Sequence, residues 1–119
     1  MAVISLTREL FVKKVSPLIY HSSEFRFLGE KPAVLDFYAE WCSPCQMVAP
    51  VLEELSDLFD GKVDFYKINV DEENELSAHF NIRSIPTLLL VGSDGAVQRF
   101  MGAMSRERLK TLVESLLKE

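Results

Sequence analysis

The sequence predicts an α/β fold: a central mixed β-sheet of about five strands flanked by about four α-helices on both faces. Three observations carry this expectation. Strand-length and helix-length apolar patterns alternate along the chain. Ala33-Val34-Leu35-Asp36-Phe37-Tyr38 is apolar on both faces except at Asp36, as expected of a strand covered by helices on both sides. The final pair of strands is joined by Gly92-Ser93-Asp94-Gly95, turn chemistry that sends the chain back antiparallel.

Each element follows from its residues. Val3 to Leu6 suits a short first strand, and Thr7 suits an N-cap whose hydroxyl accepts a free backbone N–H. Leu6, Leu10, Phe11 and Val15 form a helical stripe that Pro17 ends. From Leu18 to Gly29 the pattern is weak; Phe25 and Phe27 alternate with Arg26, which suits a short strand or an extended covering segment. After the Ala33–Tyr38 strand a helix is expected from Gln46 to Phe59, with Val48, Leu52, Leu55 and Phe59 on one face. Pro50 removes one of its backbone hydrogen bonds and predicts a kink; Gly61 stops it. Val63 to Val70 alternates as a strand. Asp71-Glu72-Glu73 suits the acidic first turn of a helix that buries Leu76 and Phe80. The run Asp71 to Glu75 reads as a solvated helix start, not a site. Thr87 to Val91 and Ala96 to Met101 are the hairpin strands. Ser105 caps the last helix, whose Leu109, Leu112, Val113, Leu116 and Leu117 keep the helical period.

The chain has 119 residues, 48% of them hydrophobic, enough for one domain, 1–119, with its own core. No apolar run approaches the roughly 20 residues of a membrane span. The start has neither a basic n-region nor a long apolar h-region, so no signal peptide is expected and the cytoplasm is the expected location. A chain already trimmed of an export signal would read the same. The net charge is −5 and the cations are scattered, so nucleic acid and anionic membrane are not expected partners.

The two cysteines stand in Trp41-Cys42-Ser43-Pro44-Cys45, between the central strand and the next helix. A C-x-x-C at such a junction is the pattern of a redox pair. The first cysteine meets the partial positive charge of a helix N-terminus, which favours the thiolate that attacks disulfides. Cys42 is expected to be partly exposed, with a pKa below the value of about 8.5 for free cysteine. Cys45, one turn in, is expected to be more buried and to stay a thiol until needed. A fixed structural disulfide is the plain alternative, but closing so short a loop stabilises little. Zinc wants four ligands, and only His21 and His79 could join the cysteines, without finger-like spacing. Covalent haem wants His where Gln46 stands. A metal would have to be shared across a dimer. Asp36, a carboxylate in an apolar strand, is expected to have a raised pKa.

Asp36-Phe37-Tyr38-Ala39-Glu40-Trp41-Cys42-Ser43-Pro44-Cys45, followed by Pro50, Ile85-Pro86-Thr87 and Gly102, resembles the thioredoxin family. The resemblance runs from about Ala33 to the C-terminus; residues 1–32 are a longer, weakly matching part of the domain. Ser43 replaces the family's usual glycine and Gln46 its usual basic residue, which leaves the redox potential open. The resemblance implies a thioredoxin fold and a general protein dithiol–disulfide oxidoreductase that maintains cell redox homeostasis. Cys42 would be the nucleophile and Cys45 the resolving thiol. Asp36 would be the general base for Cys45, directly or through one water, with Lys67 on the neighbouring strand as its partner. The plainer readings are a satisfied structural Asp36 and a merely exposed Lys67. Ile85–Pro86 would be cis, facing the cysteines, and would leave the Ile85 backbone open to an extended substrate. An ordinary trans proline is its alternative. Trp41 would form a flat apolar docking face with Ile85, Gly102 and Ala103, and the alternative is a core tryptophan. Ser43 and Pro44 shape the motif between the cysteines. No cofactor or metal would be bound; the Cys42–Cys45 disulfide would be recharged by thioredoxin reductase drawing on NADPH. Partners would be that reductase and disulfide-containing proteins, and the chain would be a monomer. The rival readings are a thiol oxidase or isomerase of an oxidising compartment, and a thioredoxin-fold binding subunit whose thiols are incidental.

Overall fold

The computed structural model describes residues 3–16 and 27–118. The helix stop expected at Pro17, His21 and the Phe25 part of the covering segment lie outside the described residues. Along the chain come β1 (Val3–Ser5), α1 (Arg8–Lys14), β2 (Ala33–Tyr38), α2 (Ser43–Leu58), β3 (Asp64–Asn69), α3 (Asn74–His79), β4 (Thr87–Val91), β5 (Val97–Met101) and α4 (Arg106–Ser115). The strands form one sheet in the order β1-β3-β2-β4-β5. β1, β3 and β2 run parallel, β4 is antiparallel to β2, and β5 is antiparallel to β4. The mixed sheet and the helix–strand alternation are as the apolar patterns predict.

β2 is central because both of its faces are apolar, and alternation splits them between two cores. Leu35 and Phe37 join Tyr66, Ile68, Leu89 and Val91 beneath Phe11 of α1 and Leu76 of α3. Val34, with Phe65, Leu88 and Leu90, meets Val48, Leu52 and Leu55 of α2 and Leu109 and Val113 of α4. Each fully buried Leu or Phe contributes about 1.5–3 kcal/mol relative to exposure, which pins all four helices. Thr7 and Ser105 cap as expected: their hydroxyls accept from Leu10 N–H and Arg108 N–H, each at 3.2 Å. Phe27 packs against the α1 side of the sheet, and Leu28 N–H donates to the Val15 carbonyl at 2.8 Å. It covers the sheet without forming a strand.

Beyond single-residue differences at the ends of β1, α2, β3 and β5, two helix starts differ from the sequence reading by three residues. α2 begins at Ser43, not Gln46, with Cys42 as its N-cap and Pro44 in its first turn. That position has no intrahelical partner for an N–H, so proline is tolerated there. α2 also runs through Pro50 as a single helix. α3 begins at Asn74, not Asp71. Asn69 draws the acidic run into a turn instead: its carbonyl accepts from Glu72 and Glu73 N–H at 3.1 and 2.9 Å, and its Oδ1 from Asp71 N–H at 2.9 Å.

Candidate active site

The topology brings four chain segments to one edge of the sheet. Ala39–Cys45 follows the C-terminal end of β2, Val70–Asp71 follows β3, Ile85–Pro86 precedes the antiparallel β4, and Gly102–Ala103 follows β5. Functional groups in α/β sheets gather beyond such strand ends. Cys42 and Cys45 are disulfide-bonded, with their Cα atoms 5.2 Å apart. The sulfurs pack with Ala39 and against Tyr38, Val70 and Ile85.

Cys42 is the N-cap of α2, and its Sγ accepts a hydrogen bond from Cys45 N–H at 3.2 Å. A carbon-linked sulfur in this position takes the place of the usual capping oxygen. A thiolate there gains both that donor and the positive end of a sixteen-residue helix. Cys42 is more buried than the expected partial exposure: 5% is accessible, against 1% for Cys45. Ile85 and Val70 pack against the cysteine pair, and the order of exposure is the expected one. Ser43 and Pro44 are exposed in the first turn.

Asp36 is only 4% exposed. It lies on the α2-covered face of β2 with Val34, two residues away. Its register partners are Lys67 on β3 and Leu88 on β4. Its Oδ1 is buried without a hydrogen-bond partner among the described residues. Burial raises its pKa from 3.8 to about 7, with the Lys67 ammonium pulling the other way. A carboxylic acid poised near neutrality can hold or release a proton during turnover. Lys67 Nζ also lies 5.9 Å from the Tyr38 ring centroid, within cation–π range.

Ile85–Pro86 is cis, as the I-P-T match implied. Pro86 is buried and Ile85 half-buried. Gly102 N–H donates to the Pro86 carbonyl at 2.8 Å, and Gly102 has φ +92, a backbone that suits glycine. Trp41 is 71% exposed, so it is not a core residue. It walls an apolar hollow of about 170 Å³ with Val70, Ile82, Arg83, Ser84 and Ile85. Gly102 and Ala103 reach the same edge without lining that hollow.

Asp71 is where the sequence reading needs correction. Its Oδ2 accepts from Trp41 Nε1–H at 2.8 Å, so it steadies the exposed indole and is not merely a solvated helix start. No local pattern signals this contact, because an exposed indole can give its N–H to water and the two residues lie 30 positions apart. His79 is remote from the sulfurs; its ring contacts Phe11 and Phe80. Among the described residues no group of three or more His, Cys, Asp or Glu is placed to hold a metal ion.

Residues 12–115 match the family described as Thioredoxin. The chain is 37% identical over 111 residues to a thioredoxin of Borreliella burgdorferi, covering 93% of this chain and 94% of that one. It is 46% identical over 82 residues to a thioredoxin of Haemophilus influenzae, covering 69% and 77%. The crystal structure of chloroplastic thioredoxin z superposes with a TM-score of 0.77 at 27% identity, covering 98% of this chain and 95% of that one.

Proposed function

The chain belongs to the thioredoxin family and is a protein dithiol–disulfide oxidoreductase; we propose that Cys42 attacks, Cys45 resolves and Asp36 takes the proton of Cys45. In the reduced protein the Cys42 thiolate attacks one sulfur of a substrate disulfide. A Cys42–substrate S–S bond forms, the substrate's own S–S bond breaks, and its other sulfur leaves as a thiolate and takes up a proton. Asp36 accepts the proton of Cys45. The Cys45 thiolate then attacks Cys42 Sγ, forming the internal disulfide and expelling the second substrate thiolate. The substrate gains two electrons and the pair loses two.

The observation that carries this reading is Cys42 at the N-cap of α2, with Cys45 N–H donating to its sulfur at 3.2 Å. The donor and the helix end favour negative charge on that sulfur and not on the one a turn deeper. Asp36 suits the base because it is buried on the face that α2 covers and its pKa of about 7 lets the carboxylate take up and give back a proton near neutral pH. Lys67, its register partner, would keep that carboxyl from rising further. Trp41, Ile85 and the hollow beside them offer an apolar face to a protein substrate.

We further propose that a monomer works in the cytoplasm, where a disulfide reductase finds a reducing environment. Electrons would come from NADPH through thioredoxin reductase, with no cofactor held in the chain. The test is insulin disulfide reduction with dithiothreitol, and separately with NADPH and a thioredoxin reductase. Both arms should reduce insulin, the second with matching NADPH loss. Failure of both arms would sink the reading; failure of the second alone would remove the NADPH route.

A further inference from the structure

One wall of the hollow beside the disulfide is held from a distance. Ile82, Arg83, Ser84 and Ile85 supply that wall, and all four belong to the connection between α3 and β4. This connection forms no helix or strand: Asn81 and Ile82 N–H donate back to the Ala78 and Ser77 carbonyls at 3.0 and 2.9 Å, and side chains hold both of its ends. At the far end the Thr87 hydroxyl donates to the Ser84 carbonyl at 2.7 Å. At the near end Arg99 of β5 donates from Nη2 to the Phe80 carbonyl and from Nη1 to the Asn81 carbonyl at 3.4 Å. Asn81 has φ 55, in the left-handed region, and its Oδ1 accepts from Arg83 Nε–H at 3.2 Å. The two carbonyls lie just past the C-terminal end of α3, where the partial negative charge of a helix favours a guanidinium. Arg99 reaches them because its register partner is Leu89, and Leu89 lies on the face that α1 and α3 cover.

We propose that Arg99 is a positioning residue for protein substrates. By tying the Phe80–Asn81 end of the connection to the sheet edge, it sets Ile82–Ile85 opposite Trp41 before a substrate arrives. A wall shaped in advance removes part of the ordering cost of docking. Arg99 lines neither the hollow nor the packing around the sulfurs, so it acts on docking and not on sulfur chemistry. A charge on an edge strand can also serve only to discourage edge-to-edge pairing. In that case its loss would change association and leave docking alone. The inference rests on the reading that substrates dock against Trp41 and Ile85.

The test compares wild type with Arg99→Gln and Arg99→Lys. Arg99→Gln should raise KM for insulin about fivefold, the size expected for losing one net hydrogen bond to an ordered wall. Its kcat, its redox potential and its rate with the small substrate bis(2-hydroxyethyl) disulfide should stay at wild-type values. Arg99→Lys, with a single donor head, should fall between. Amide hydrogen exchange at Ile82 to Ile85 should speed up in both variants while that of β4 does not. An unchanged KM, an equal loss with the small disulfide, or unchanged exchange at those amides would overturn the proposal. If wild type reduced no insulin the functional reading would fall instead, and the exchange comparison would still judge the brace.

Discussion

Replacing Asp36 by Asn should remove a pH-dependent burden on the fold and slow resolution. The carboxyl is buried, and its pKa rises from 3.8 to about 7 chiefly through desolvation. The folded pKa lies above the unfolded one, so Asp36 favours folding only while protonated. Its contribution is full below about pH 3.8 and is lost as the pH rises through about 7. At 1.36 kcal/mol per pH unit, the gap between those values corresponds to about 4 kcal/mol, an upper figure for the whole window. Urea unfolding of the oxidised wild type and of Asp36→Asn, from pH 4 to pH 9, reads it directly. The stability of the variant relative to wild type should climb with pH and level off above about 7. A difference that stays flat across the window would refute the assignment of the raised pKa to Asp36. Kinetically, Asp36→Asn should slow release of the reduced substrate at neutral pH and leave the first attack unchanged. Two normal rates would remove Asp36 as the base.

Cys42→Ser should abolish disulfide reduction, whereas Cys45→Ser should accumulate substrate mixed disulfides, seen as reducible adducts by non-reducing electrophoresis and mass spectrometry. Asp71→Ala frees the indole N–H of Trp41. As Trp41 is the single tryptophan, its fluorescence should shift, and KM for insulin should rise up to about fivefold. Gly102→Ala places a Cβ that meets nothing within 4 Å but forces φ +92 on a residue with a side chain. Denaturant unfolding should show a loss of about 1–2 kcal/mol from backbone strain alone.

The parts of the fold written in local pattern were legible. Ala33–Tyr38 and Thr87–Val91 read correctly at both ends because buried central strands are continuous apolar runs. Thr7 and Ser105 announced their helices by side-chain chemistry. The start of α2 did not, because the motif hides it: a cysteine caps and a proline occupies the first turn, and neither adds to an apolar period. The Asp71–Glu73 run misled because acidic residues suit a helix start and an Asn-centred turn alike, and only Asn69 decides between them. The placement of the site was legible at Cys42, Cys45, Asp36 and Pro86: the cysteines are joined, the carboxyl is buried and Ile85–Pro86 is cis. The clamp on Trp41 and the brace from Arg99 were not. Each joins residues far apart in sequence, 30 positions for Trp41 and Asp71 and 19 for Arg99 and Phe80, and no periodicity encodes such a contact.

The most direct test is the ionisation of Cys42 in the reduced protein, with Cys45→Ser used so that one thiol reports. Alkylation by iodoacetamide should follow a titration whose midpoint lies clearly below the value of about 8.5 for free cysteine. A midpoint at or above that value would mean the cap of α2 does not stabilise the thiolate, and the assignment of Cys42 as nucleophile would lose its physical basis.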